Sequence, residues 1–233
     1  MTDAAADADA DAATGVSEGG SARQRSTVQE GVGRLVGFTD AVVAIAITLI
    51  VLPLVDAARS IGNRPASDFL AENGFNLLAA ALSFVVIATF WKDHHRLYRQ
   101  VTGSTKALIN TNLLWLAGIV FLPLPTVLIV NSPGHDPVAA GLYIGTILVT
   151  EVAVRLQEVV IVRAGLAPGE ALPSRTLWTD WIVVALTFVA LVITLTVPAT
   201  GLYPLLLALL TRPLRWLLQR ASSATADQRT GLL

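Results

Sequence analysis

The chain has 233 residues, is 54% hydrophobic and only 14% charged, and has a mean hydropathy of +0.64. Soluble domains carry about 25% charged residues, so this chain lacks the polar surface that would cover a water-facing core. A formal net charge of −1 gives no basis for nucleic acid binding, and the absence of cysteine excludes disulfides, a thiol nucleophile and thiolate metal ligands.

Taken in chain order, residues 1–30 come first. Asp3, Asp7, Asp9 and Asp11 alternate with alanines and lead into a Gly/Ser stretch. That composition predicts a disordered acidic tail, and no basic segment precedes an apolar one as a signal peptide requires. Residues 31–220 then read as one all-α, polytopic membrane domain, with a flexible tail over 221–233. A spanning helix needs about 20 apolar residues, and six stretches qualify. The first is Val32 to Val55, closing near Pro53. The second is Phe69 to Trp91, ended by Lys92. The third is Ala107 to Val130, with a kink expected at Pro123 and Pro125. The fourth is Pro137 to Val162, after the turn Asn131-Ser132-Pro133-Gly134. Thr176 to Val197 is the fifth, and Tyr203 to Leu218 the sixth, interrupted by Arg212, Pro213 and Arg215.

Charge in the connections sets the orientation. Arg23, Arg25 and Arg34 precede the first helix, and Lys92, Arg96, Arg99 and Lys106 lie between the second and third. Arg163 and Arg175 follow the fourth, and Arg212, Arg215, Arg220 and Arg229 lie at the end. The opposite side has only Arg59 and Arg64. Lys and Arg favour the cytoplasmic side, so both termini are expected there.

The first helix holds the most informative residues. Arg34 and Asp40 lie near or inside an apolar segment, where ionisable groups are costly. They stand about 240° apart around a helix, so each is expected to find partners on other helices. Ile45, Thr48 and Leu52, with Leu49 beside them, share one helix face. In a membrane such a stripe suits lipid as well as a pore, and Thr48 is also placed to bond back to the carbonyl of Ala44.

The run Arg34-x-x-x-Phe38-Thr39-Asp40, followed by Ala44-Ile45-Ala46-Ile47-Thr48-Leu49, resembles the first-helix signature of the transmembrane protein 175 family, with Thr39 where that family usually has Ser. Phe90-Trp91-Lys92-Asp93-His94-His95-Arg96-Leu97 resembles the end of the family's second helix, and Asn112 with Leu122-Pro123-Leu124-Pro125-Thr126 resembles its third. The resemblance implies a potassium channel with six helices per repeat. It also implies that a single-repeat chain of this kind, as in bacterial members, assembles as a homotetramer in the cell membrane around a pore lined by the first helices. Matching positions then make Ile45 the narrowest ring, Thr48 a hydroxyl ring one turn further out, and Leu49 and Leu52 secondary wall residues. Arg34, Phe38, Thr39 and Asp40 become a structural motif, with Trp91, His94, His95 and Asn112 as a supporting network. Potassium is the permeant ion, with no other metal or cofactor expected, and the partners are lipid, potassium and further copies of the chain.

Two other groups stand out. Glu151, Arg155 and Glu158 fall at i, i+4 and i+7 on the fourth helix. They read either as a self-neutralising brace or as the relay of a proton-coupled secondary transporter, the rival function. His94 and His95 are expected at the cytoplasmic membrane surface, as pH-sensitive groups or as anchors bonding the polar residues of the first helix. The five tryptophans are expected mostly near helix ends. No nucleophile, metal or phosphate-binding motif suggests an enzyme.

Overall fold

The computed structural model describes the backbone of residues 3–132, 136–167, 174–197 and 200, and side chains from residue 30 onward, except those of residues 174–180. Among the described residues the chain is all helix. α1 runs Asp3–Arg59, α2 Ala66–Glu72, α3 Gly74–Tyr98, α4 Lys106–Phe121, α5 Pro123–Asn131, α6 Pro137–Arg163 and α7 Ser174–Thr196. Among the described residues, four stretches are long and apolar enough to cross a membrane: Glu30–Arg59, Gly74–Tyr98, Lys106–Asn131 and Pro137–Arg163, with Trp181–Thr196 a shorter apolar helix. The expected fifth span coincides with α7. The expected sixth, from Tyr203 to Leu218, lies outside the described residues, as do the turn positions Pro133 and Gly134. Helical backbone in α1 begins at Asp3. An Ala/Asp segment without packing partners makes only a marginal helix in water, and a tail without a fold of its own stays our proposal for residues 1–30.

Three boundaries differ from the sequence reading. Pro53 does not close α1, which continues through it to Arg59; an apolar surround leaves the backbone no better alternative than the helix. Phe69 belongs to the separate α2, and the long helix starts after Asn73, whose backbone N–H and side chain both bond to the Phe69 carbonyl. At its other end α3 runs past Trp91 to Tyr98. Lys92 and Arg96 are exposed while Phe90, His94, Leu97 and Tyr98 are buried, so the charges decorate one face of a continuing helix.

The predicted kink is present as the break between α4 and α5 at Leu122, where Pro123 and Pro125 offer no N–H. Thr126 Oγ1 donates to the Leu122 carbonyl at 2.9 Å, and Ser83 Oγ lies 2.8 Å from Thr126 Oγ1 and 3.2 Å from Tyr143 Oη. One donor assignment satisfies all three: Tyr143 to Ser83, Ser83 to Thr126, Thr126 to Leu122. α3, α5 and α6 are thereby tied together at the break.

The core joins α1 (Val43, Ala46, Ile50) to α3 (Ile87, Phe90), α4 (Trp115, Leu116, Ile119), Leu122 and α6 (Tyr143, Ile147, Ala153, Val154). α1 packs against α3, α4 and α5, whereas the main neighbours of α6 are α4 and α7. Close approach of α4 and α6 depends on Gly118, where a Cβ would collide with the Thr150 side chain.

Candidate functional site

The two faces of α1 have different surroundings. Val32, Thr39, Val43, Ala46 and Ile50 are buried against the rest of the chain. Phe38, Ile45, Thr48, Leu49 and Leu52 point away from it. The mean directions of the inward and outward sets differ by about 135° at 100° per residue. Ile45 is 60% exposed and Ile50 3%, although the two side chains are chemically identical. Arg34 is exposed on the same outward stripe, on the side of α1 nearer the N-terminus. The outward residues Arg34, Phe38, Ala41, Ile45, Thr48, Leu52 and Val55 alternate steps of four and three, the spacing of a helix seam that meets other helices.

Thr48 Oγ1 donates to the carbonyl of Ile45 at 2.7 Å, three residues back and not the four expected for Ala44. Its hydrogen is therefore used within the helix, and its lone pairs face outward.

The inward face carries a polar network. Asn112 Nδ2 donates to Thr39 Oγ1 at 2.9 Å, and Thr39 Oγ1 donates to the Leu35 carbonyl at 2.9 Å. Asn112 Oδ1 thus faces His94 Nε2 at 2.8 Å as an acceptor, which places a hydrogen on Nε2. All three side chains are fully buried. The His94 ring stacks between Tyr98 and Trp115, with centroids at 4.2 and 4.4 Å. Asp40 takes a separate bond from Trp91 Nε1 at 2.8 Å, so its partner is on another helix. His94 is accordingly buried among the helices, and it reaches α1 through Asn112. Trp115 is likewise a core residue, unlike the end positions expected of the tryptophans; the Trp178 and Trp216 side chains lie outside those described. The sequence pointed to Thr39, His94 and Asn112, and to the histidines as partners of the first helix, but not to Asn112 as the link between His94 and Thr39. It missed Tyr98, Trp115 and the Ser83–Thr126–Tyr143 relay, whose only signal was polar residues recurring on apolar helix faces.

On α6, Arg155 Nη1 holds both carboxylate oxygens of Glu158, at 2.6 and 2.7 Å, and Glu151 is buried one turn earlier. An i, i+3 pair of this kind neutralises itself within its own helix.

Together these features define a multi-pass helical membrane protein whose first helix turns one face into a polar and apolar core and leaves the opposite face uncovered. The family model described as endosomal/lysosomal potassium channel TMEM175 matches residues 34–123. A potassium channel of Chamaesiphon minutus is 34% identical over 123 residues, covering 52% of this chain and 61% of that one. A potassium channel of Streptomyces collinus is 32% identical over 114 residues, 48% of this chain and 55% of that one. The endosomal/lysosomal proton channel TMEM175 of Gallus gallus is 38% identical over 98 residues, 39% of this chain and 20% of that one. The matches thus span less than two thirds of the length of these relatives. The crystal structure of a lysosomal potassium-selective channel TMEM175 homolog from Chamaesiphon minutus superposes with a TM-score of 0.51 at 26% identity, over 77% of this chain and 98% of that one. Over residues 34–123 the chain is similar to the TMEM175 family, and over most of its length to the fold of one of its bacterial homologues.

Proposed function

We propose that the chain is one subunit of a homotetrameric, potassium-permeable channel of the cell membrane. It conducts passively through a constriction built from four copies of α1, with both termini in the cytoplasm. The observation that carries this reading is the outward stripe of α1. Ile45, Thr48, Leu49 and Leu52 face away from their own bundle, while the chemically similar Val43 and Ile50 face into it. The potassium channels among the relatives support the choice of ion.

The mechanism follows from the side chains. An intact helix uses its carbonyls internally, so the stripe offers an ion mainly side-chain groups. A ring of Ile45 excludes hydrated ions and favours dewetting. Potassium holds its water less tightly than sodium, so a ring that demands partial dehydration penalises sodium more. Thr48 supplies outward acceptor oxygens on the Arg59 side of that ring, and Leu49 and Leu52 continue the wall. Arg34, on the same stripe about 16 Å from Ile45, marks a wide cytoplasmic mouth. The inward network of Thr39, Asn112 and His94, with Phe38 and Asp40–Trp91 beside it, holds α1 in this rotation. The Arg155–Glu158 pair is a brace in this scheme and has no part in conduction.

Purified protein in planar bilayers under bi-ionic potassium/sodium gradients tests the proposal. The expected result is passive current with a reversal potential favouring potassium. No current from a correctly assembled oligomer, or slow saturable flux coupled to protons, would overturn it.

A further inference from the structure

α3 carries two opposite faces. Ser83, Ile87, Phe90 and His94 are buried in the bundle, whereas Leu78, Leu82 and Val85 are 57%, 47% and 52% exposed. The uncovered face continues through Thr89 to Lys92, Arg96 and Arg99, and from Leu78 onward these positions lie within an arc of about 100°. Thr89 Oγ1 donates to the Val85 carbonyl at 2.6 Å, so its hydrogen is met inside the helix and the face stays compatible with lipid. From Gly74 to Lys92 the helix rises about 27 Å, close to the ~30 Å of a hydrocarbon core. Apolar residues thus give way to cations where hydrocarbon gives way to headgroups. Trp91 Nε1 bonds Asp40 of α1, which sets this end of α3 on the N-terminal side of the bundle.

The cations are available to an outside partner. Arg96 meets Asp93 at 3.8 Å with its side chain 75% exposed, so that pair contributes little. Lys92 and Arg99 are exposed and take part in no ion pair among the described residues. An occupant must offer an apolar part and an anionic end in that order, as a phospholipid does. The acidic residues Asp3, Asp7, Asp9 and Asp11 match only the basic end. A second copy would have to supply carboxylates, and on this side Glu30 is the only exposed one among the described side chains.

We infer that this face of α3 binds an anionic phospholipid of the leaflet on the N-terminal side of the bundle. Its phosphate is held by Lys92, Arg96 and Arg99, and an acyl chain lies along Val85, Leu82 and Leu78. The inference needs α3 to span the membrane and does not depend on where ions pass.

The test is native mass spectrometry of the full chain, purified in detergent and offered equal amounts of phosphatidylglycerol and phosphatidylcholine with the same acyl chains. Phosphatidylglycerol should be retained in preference. A cation near the membrane surface contributes about fivefold, so Lys92→Gln, Arg96→Gln and Arg99→Gln should each lower the preference by about that factor, and the three together on the order of a hundredfold. The single variants carry the test if the triple variant fails to assemble. Lys92→Arg with Arg96→Lys and Arg99→Lys should keep the preference. So should Lys106→Gln with Arg163→Gln, which removes exposed cations on the same side but on other helices. Equal retention of both lipids by wild type, or as large a loss in the Lys106/Arg163 variant as in the triple variant, would overturn the site. A preference that emerges only when Asp3, Asp7, Asp9 and Asp11 are changed to asparagine would give the face to the acidic segment instead. An oligomer that falls apart in the triple variant at unchanged lipid preference would give it to a second copy.

Discussion

Asn112 on α4 bonds Thr39 on α1 at 2.9 Å, both side chains fully buried, and the other end of the same amide takes the Nε2 hydrogen of His94 on α3 at 2.8 Å. One side chain therefore joins three helices through a donor and an acceptor that no other residue type of similar shape supplies together. Asn112→Leu should leave the His94 donor unmet and cost about 1–3 kcal/mol, read as a lower thermal midpoint and less assembled protein. Thr39→Ser keeps the hydroxyl and should retain the network, while Thr39→Val should resemble Asn112→Leu. Wild-type stability in both Asn112→Leu and Thr39→Val would remove the network from the account of how α1 is held.

Gly118 and Thr150 make the second prediction. Thr150 is fully buried and its hydroxyl is fixed by a 2.7 Å bond to the Thr146 carbonyl, so it has little freedom to yield to a new methyl group. Gly118→Ala should separate α4 from α6 and cost about 1–3 kcal/mol through overpacking. Thr150→Ala should recover part of that loss when combined with it. Thermal unfolding of the four proteins, as a double-mutant cycle, measures the coupling; strictly additive effects would show that the two positions do not meet.

Much of this architecture was legible because lipid imposes length. The α4 and α6 spans and the break at Leu122 follow from apolar run length and from two prolines without N–H groups. Charge was the misleading signal. Lys92 suggested the end of a helix, yet Phe90, His94 and Leu97 keep the i, i+4, i+7 spacing of a buried face straight past it. Pro53 misled in the same way, since a proline that ends a helix in water need not end one in lipid. The rotation of α1 was the feature least accessible. Ile45 and Ile50 are the same residue, and only the partners supplied by α3, α4 and α5 decide which of them faces the core. Asn112 could be singled out from sequence, but its bonds to Thr39 and His94 required the tertiary contacts.

Asp136 gives a prediction about pH. Its carboxylate accepts from the Val138 N–H at 2.8 Å and from Ser132 Oγ at 3.1 Å, capping the start of α6, and these bonds hold its pKa below the ordinary carboxylate value. A carboxyl with a lowered folded-state pKa stabilises the fold above its unfolded-state pKa, and that contribution is lost as pH falls through the folded value. Asp136→Ala should therefore be less stable than wild type near neutrality, with the gap closing as pH drops below about 4. Thermal midpoints of the two proteins across pH 3–7 measure it. A gap independent of pH would mean that the cap does not depend on the charge of Asp136.

The outward stripe supplies the last prediction. Ile45→Asn replaces an apolar wall with groups that hydrogen-bond water, so the barrier to a hydrated cation should drop, and sodium, which holds its water more tightly, should gain most. Conductance should rise and discrimination fall. Thr48→Ala removes the outward oxygen while leaving the ring intact, so potassium conductance should decrease. Ile50→Asn is the control, because Ile50 is packed among Val43, Ala46, Trp115 and Leu122 in the core of its own subunit. It should cost about 1–3 kcal/mol by burying an amide without partners and reduce assembly, with the surviving channels keeping their selectivity. Reversal potentials under bi-ionic potassium/sodium gradients distinguish these outcomes. If Ile45→Asn and Thr48→Ala both keep the wild-type potential and conductance, the uncovered face of α1 meets lipid or another helix and does not line the ion path.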